Sequence, residues 1–215
     1  MPTIELVTHD SALNAAPALP DGDAVSYAPT MTAAPEDTAL MLRFGEGDSQ
    51  AFEELYRRHN DALYRYFLRL GSDPATAEDL YQEAWSKIIR ARASYRPTAK
   101  FTTYLYRVAH NCFIDNIRRN KRHRHTAQIE PDTQAADCVP PEAAAETGLA
   151  RRRLERALED LPFEQRDAFL LHEEAGLGLD DIARVTGANR EAAKSRLRYA
   201  VKKLRAALDD AEDSK

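Results

Sequence analysis

Apolar residues in this chain recur at steps of three and four, and no segment alternates convincingly at a step of two. That property restricts the fold more than any other: a chain that can offer only 3.6-residue periods to a core must build it from helices, so the class is all-α. GDSQAFEELYRRHNDALYRYFLRL reads as one amphipathic helix with Asp48 as its cap, broken at Gly71-Ser72-Asp73-Pro74. A second helix carries DLYQEAW and runs to about Ala93; Tyr95–Thr103, with Pro97, reads as a loop, and Tyr104–Arg122 as a further helix. With a helix beginning near Glu36, about four helices make a first bundle over residues 38–124. Residues 1–37, rich in Ala, Pro, Thr and Asp, read as a disordered tail. Residues 125–150 contain IEPDTQAADCVPPEAAAETG and read as an acidic flexible linker. Beyond it, ARRRLERALEDLP and FEQRDAFLLHEEAG each read as a helix, stopped by Pro162 and Gly176. LGLDDIARVTGANREAAKSRLRYAVKKLRAAL then gives helix, Gly-containing turn, helix, which is a helix-turn-helix layout within residues 151–208. An acidic tail, 209–215, closes the chain.

The formal net charge of −5 conceals segregation. Residues 1–50 hold eight acids against Arg43 alone, and residues 96–125 hold eight Lys/Arg against Asp115 alone. Thr126–Leu149 has five acids and no Lys or Arg, whereas Arg190–Arg205 has seven Lys/Arg and one Glu. Two basic blocks on helices, separated by an acidic spacer, point to a nucleic-acid partner. In the last helix Ala193, Leu197, Ala200, Val201, Leu204 and Leu208 form the apolar stripe. Arg190, Glu191, Lys194, Ser195 and Arg198 stand off it in the first turns, where a recognition helix meets base edges and phosphates. In the helix to Arg122, Arg107, Asn111, Asp115, Arg118 and Arg122 lie opposite an apolar side of Leu105, Ala109, Cys112, Phe113 and Ile117. Tyr95, Phe101, Tyr104 and Tyr106 are interleaved with these bases, an arrangement suited either to stacking unpaired bases or to core packing.

The polar side of DLYQEAW is oddly made. Asp79, Gln82, Glu83 and Ser86 share one face, extended by Arg90, above Leu80, Tyr81, Ala84, Trp85, Ile88 and Ile89. Catalysis finds little support: the six histidines are scattered, and no Ser/His/Asp or HExxH spacing and no Gly-rich phosphate loop occurs. Neither an enzyme nor a cofactor is expected. Cys112 and Cys138 form no CxxC, and His123 and His125 beside them do not make a dense ligand set, so no metal site is expected either. The absence of a disulfide framework, a signal peptide and a spanning apolar run gives the expectation of a cytoplasmic protein without membrane insertion.

Four blocks together, AFEELYRRHNDALYRYFLRL, AEDLYQEAWSKI, FTTYLYRVAHNCFIDNIRRNKR and LEDLPFEQRDAFLLHEEAGLGLDDIARVTGANREAAKSRLRYAVKKLR, resemble the sigma-70 family of bacterial RNA polymerase initiation factors, in its extracytoplasmic-function (ECF) class. With the linker they cover about residues 40–206. The resemblance implies a region 2 like bundle and a region 4 like helix-turn-helix, with no middle domain. It implies that Asp79, Gln82 and Glu83 dock on the clamp helices of the largest subunit of core RNA polymerase. It implies recognition and melting of the −10 promoter element by Phe101, Thr103, Asn111, Arg118, Arg119 and Arg122, and −35 binding through Arg190, Glu191, Lys194, Ser195 and Arg198. An anti-sigma partner is usual in the class. One departure is Ala192-Ala193, where family members often carry Thr-Val. The rival reading is a stand-alone helix-turn-helix regulator acting without polymerase.

Overall fold

A computed structural model of the chain describes residues 36–126 and 145–209, with side chains for 36–122 and 152–209. Residues 1–35 of the expected tail, 127–144 of the expected linker and 210–215 of the acidic end lie outside the described residues, whereas 145–150, expected as linker, are helical. The first module consists of α1 (Asp37–Gly45), α2 (Ser49–Arg69), α3 (Pro74–Ala91) and α4 (Phe101–Thr126), with a 3-10 turn, Arg92–Ser94, after α3. The second consists of α5 (Ala145–Glu159), α6 (Phe163–Glu173), α7 (Leu179–Thr186) and α8 (Arg190–Asp209). No strand occurs among the described residues.

Local chemistry sets these boundaries. Asp48 caps α2 by accepting from the Ala51 N–H at 3.2 Å, and Asp73 caps α3 by accepting from the Thr76 N–H at 3.0 Å, with Pro74 in the first turn. Gly187, at φ 67°, takes the left-handed conformation that ends α7 and lets the chain turn into α8. Three boundaries differ from the sequence expectation: α4 runs on to Thr126, α5 starts at Ala145 inside the expected linker, and α4 starts early. α4 begins at Phe101, three residues before Tyr104, so Phe101, Thr102 and Thr103 form its first turn and the loop shortens.

The first core gathers Leu55, Leu63, Phe67, Ala77, Leu80, Trp85, Ile88, Leu105 and Ala109, all buried. Phe52 stands edge-on to Trp85 with centroids 5.7 Å apart. The second core joins Leu158, Leu170, Leu171, Ile182, Val185, Ala193, Ala200 and Leu204. The modules also touch. α7 packs on α4, and α5 and α6 meet α2. The Tyr66 hydroxyl donates to Asp167 Oδ1 at 2.7 Å, and His110 Nδ1 approaches the other Asp167 oxygen to 3.0 Å. Arg65 and Arg69 both donate to Glu174, and Arg166 donates to the Leu70 carbonyl at 3.0 Å. Phe113 stacks on Phe163, centroids 5.5 Å apart and planes 8° from parallel.

Gly45 holds α1 against the 3-10 turn, because a Cβ there would lie 2.8 Å from the Arg92 carbonyl oxygen, a backbone atom with no rotamer to move. Gly45→Ala should therefore destabilise the chain by about 1–3 kcal/mol, read as a lower denaturant midpoint.

Candidate nucleic-acid and protein interfaces

On α3 the side chains divide as the helical period requires. Leu80, Ala84, Trp85 and Ile88 are buried, whereas Asp79 and Gln82 are exposed. Gln82 Nε2 donates to Glu78 at 2.8 Å, which fixes its amide along the helix surface. Glu83 is not an uncompensated acid. Lys87 Nζ sits 2.8 Å from its carboxylate, and Arg119 of α4 donates to it at 3.1 Å. Partial burial pushes the Glu83 carboxyl up, but these two cations more than reverse it, and the group stays below its usual range. It is thus anionic at neutral pH yet already engaged. Asp79 makes no ion pair among the described residues and is the more available of the two carboxylates.

α4 presents two kinds of surface. Arg107, Asn111, Arg118, Arg119 and Arg122 are exposed along its outer face. Arg118 lies 3.8 Å from Asp115 one turn away, and Arg122 Nε bonds the Arg118 carbonyl. Phe101 departs from its expected place. It is 1% exposed, packed near His59 and Tyr104, and starts α4 with its ring turned into the core. In this arrangement it cannot stack an incoming base. Tyr106 is likewise core.

Thr103, at 3% exposure, is also withdrawn from the surface, but it lines a cavity of about 620 Å³. Tyr95, Arg96, Tyr104, Arg107 and Arg184 share the walls. Thr103 Oγ1 has no hydrogen-bond partner there, which a ligand carrying donors and acceptors would satisfy. Aromatic rings, a spare hydroxyl and three arginines form a pocket chemically suited to an unstacked nucleobase and its phosphate.

At the start of α8, Arg190, Glu191, Lys194 and Arg198 are exposed, and Ser195 is partly buried. Arg190 Nε lies 2.9 Å from Asp180, and Lys194 Nζ lies 3.9 Å from Glu191. Arg198 stands over the exposed Tyr199 ring at 5.1 Å. Ala193 is fully buried, so a larger residue there would press on the module's core. These are rim-type pairs, cheap to exchange for phosphate contacts.

The sequence reading missed three contributors. Lys87 follows Glu83 by four residues, a spacing visible in the sequence. Asn189 caps α8: its Oδ1 accepts from the Ala192 N–H at 2.7 Å, and a capping residue before a helix is a readable signal. Arg184 reaches the α4 pocket from the other module, which no local pattern announces. Among the described residues, no group of His, Cys, Asp and Glu is placed to hold a metal, and no helix is long and apolar enough to cross a membrane.

Comparison with known proteins gives a consistent picture. Residues 55–123 match the family Sigma-70 region 2, and residues 151–204 match Sigma-70, region 4. The RNA polymerase sigma factor CarQ of Myxococcus xanthus is 31% identical over 172 residues, covering 80% of this chain and 97% of its own. The ECF RNA polymerase sigma factor SigM of Mycobacterium tuberculosis is 34% identical over 160 residues, covering 74% and 78%. Among solved structures, CnrH in complex with the cytosolic domain of CnrY superposes with a TM-score of 0.60 at 24% identity, covering 81% of this chain and 97% of that one. The Bartonella quintana sigma factor RpoE, solved with the anti-sigma factor NepR, gives 0.59 at 23% identity, covering 74% and 96%.

The cap on α8 generates a prediction. Asn189→Ala should cost about 1 kcal/mol of stability in chemical denaturation, and Asn189→Asp or Asn189→Ser should keep most of it, because each restores a side-chain oxygen to the cap.

Proposed function

Because the chain belongs to the ECF class of the sigma-70 family and is an alternative sigma factor, we propose specific roles for the three surfaces. The α3 face, Asp79, Gln82 and Glu83, docks on the clamp helices of the largest polymerase subunit. The outer face of α4, with Asn111, Arg118, Arg119 and Arg122, holds the −10 element while the pocket at Thr103, Tyr104 and Arg107 receives an extruded base. Phe101 supports that pocket from inside rather than touching DNA. The start of α8, with Arg190, Glu191, Lys194, Ser195 and Arg198, reads the −35 element in the major groove. The protein thus acts as an initiation factor without chemistry of its own, in the cytoplasm, with its working modules at about 38–124 and 151–208.

The observation that carries this reading is the pairing, in one chain, of a region 2 match and a region 4 match, each with its polar contact face turned to solvent. An anti-sigma partner fits the same picture, since the sigma factor RpoE, of similar fold, was solved with the anti-sigma factor NepR.

Run-off transcription with purified core polymerase and a pooled promoter library tests the whole. Asp79→Lys with Gln82→Ala should weaken core binding about tenfold or more while leaving helix content intact. Those substitutions spare Glu83 and so leave its bridge to Arg119 in place. Arg190→Ala should cost about 1–3 kcal/mol at the −35 element with −10 selection unchanged. Sequence-specific duplex binding by the free chain that is as tight as in the polymerase complex would instead favour the stand-alone regulator.

A further inference from the structure

The cavity at Thr103 carries more positive charge than an extruded base requires. Arg96 precedes α4, Arg107 lies on it, and Arg184 comes from α7 of the other module. All three are exposed, and no carboxylate is among the residues that line the walls. Arg96 Nη1 donates to the Tyr95 carbonyl at 2.9 Å, which positions the guanidinium without neutralising it. Arg107 makes no ion pair among the described residues. Arg184 lies 3.4 Å from Asp181 one turn away, a weak pair for so exposed a guanidinium. Like charges around one cavity repel, and an anion placed among them relieves that repulsion.

The neutral walls restrict what else that anion must carry. Tyr95 and Tyr104 form an aromatic corner, with centroids 5.1 Å apart and planes 57° from parallel. Tyr104 is half-buried and keeps part of its ring on the cavity. Burial pushes its phenol up and the Arg107 charge partly offsets this, as expected of a cation close to the ring. Any nucleobase can stack on such a ring, because every base has a π-face. Thr103 Oγ1, buried without a hydrogen-bond partner, adds a directional donor and acceptor. The volume of about 620 Å³ falls in the range of about 300–1,000 Å³ usual for small-molecule sites.

A nucleotide within a DNA strand spreads its charge along the backbone on either side of the base. A free nucleoside polyphosphate instead gathers several negative charges on one short chain beside one base, and guanidinium forks match phosphate oxygens in pairs. Arg184 is the informative member of the set. It belongs to the module assigned to the −35 element, so recognition of the −10 element gives it no task in this wall.

We propose that this cavity binds a free nucleoside polyphosphate, with its base against Tyr104 and Thr103 and its phosphates among Arg96, Arg107 and Arg184. The assignment rests on the reading of the cavity as a seat for an unstacked base and names a second, free occupant for it.

Calorimetric titration of the full-length, polymerase-free chain with GTP, ATP and inorganic triphosphate tests the site. At least one nucleotide should bind about tenfold or more tightly than triphosphate, because only the nucleotide brings a ring to stack. Arg184→Ala should weaken nucleotide binding about tenfold or more, and Thr103→Val about two- to tenfold. Arg152→Ala removes an exposed charge of α5 that is not part of the cavity wall, and should leave the affinity unchanged. Helix content by circular dichroism should match wild type in all three variants. Equal affinity for nucleotide and triphosphate, equal losses from Arg152→Ala and Arg184→Ala, or no nucleotide binding at all would each overturn the proposal. Opening of a −10 duplex by the polymerase complex, followed without nucleotides through a fluorescent base in the element, keeps the two readings apart. Failure of the wild-type protein there would strike the functional reading, while the titration alone decides the free-nucleotide site.

Discussion

The contact between the two helical modules centres on one buried carboxylate. Asp167 sits on a short helix of the second module and meets a phenol and an imidazole of the first. A lone carboxylate in that position would be costly to bury, by several kcal/mol. The arrangement is tolerable because Tyr66 brings a donor on α2 and His110 is held close on α4, while Glu174 pairs with Arg65 and Arg69 at the margin and Arg166 bonds the Leu70 carbonyl. Beside this contact α7 lies directly on α4, which brings Arg184 to the wall of the pocket at Thr103. A pocket on α4 is thus completed by a residue of the other module.

Helix identity was legible in the sequence because it is a local property. Asp48, Asp73-Pro74, Pro162, Gly176 and Gly187 are stop and start signals that act within one turn, and the elements begin and end beside them. The start of α4 was less legible. Lys-Phe-Thr-Thr-Tyr holds four β-branched or aromatic residues in a row, so propensity favours a loop. What makes Phe101 helical is the core space waiting for its ring between His59 and Tyr104. That tertiary gain also decides which aromatics of the interleaved set are structural. Phe101 and Tyr106 are consumed by packing, and Tyr104 keeps an edge on the cavity.

The long-range pairings were not legible at all. Glu83 and Arg119 are separated by 36 residues, Tyr66 and Asp167 by 101, and no periodicity links them. In the sequence Glu83 looks like an acid without a base, because its nearer cation, Lys87, reads as one more solvated side chain and its farther one belongs to another helix. Asp167, within FEQRDAF, reads as the polar side of an amphipathic helix. It is polar, but the side it occupies is covered by another module.

These two hidden pairings share a logic. Glu83 belongs to the face assigned to a protein partner and Arg119 to the face assigned to DNA, yet in this closed chain they neutralise each other. The bridge is partly exposed and so weak, of the order of 1 kcal/mol or less. It can be traded without loss once a basic partner takes the carboxylate and a phosphate takes the guanidinium. Similar pairings join the modules, where Asp167 meets groups of α2 and α4 and Glu174 meets two arginines of α2. Surfaces bearing such segregated charge would otherwise attract wrong partners or one another. Pairing part of that charge internally lowers this cost at little net expense.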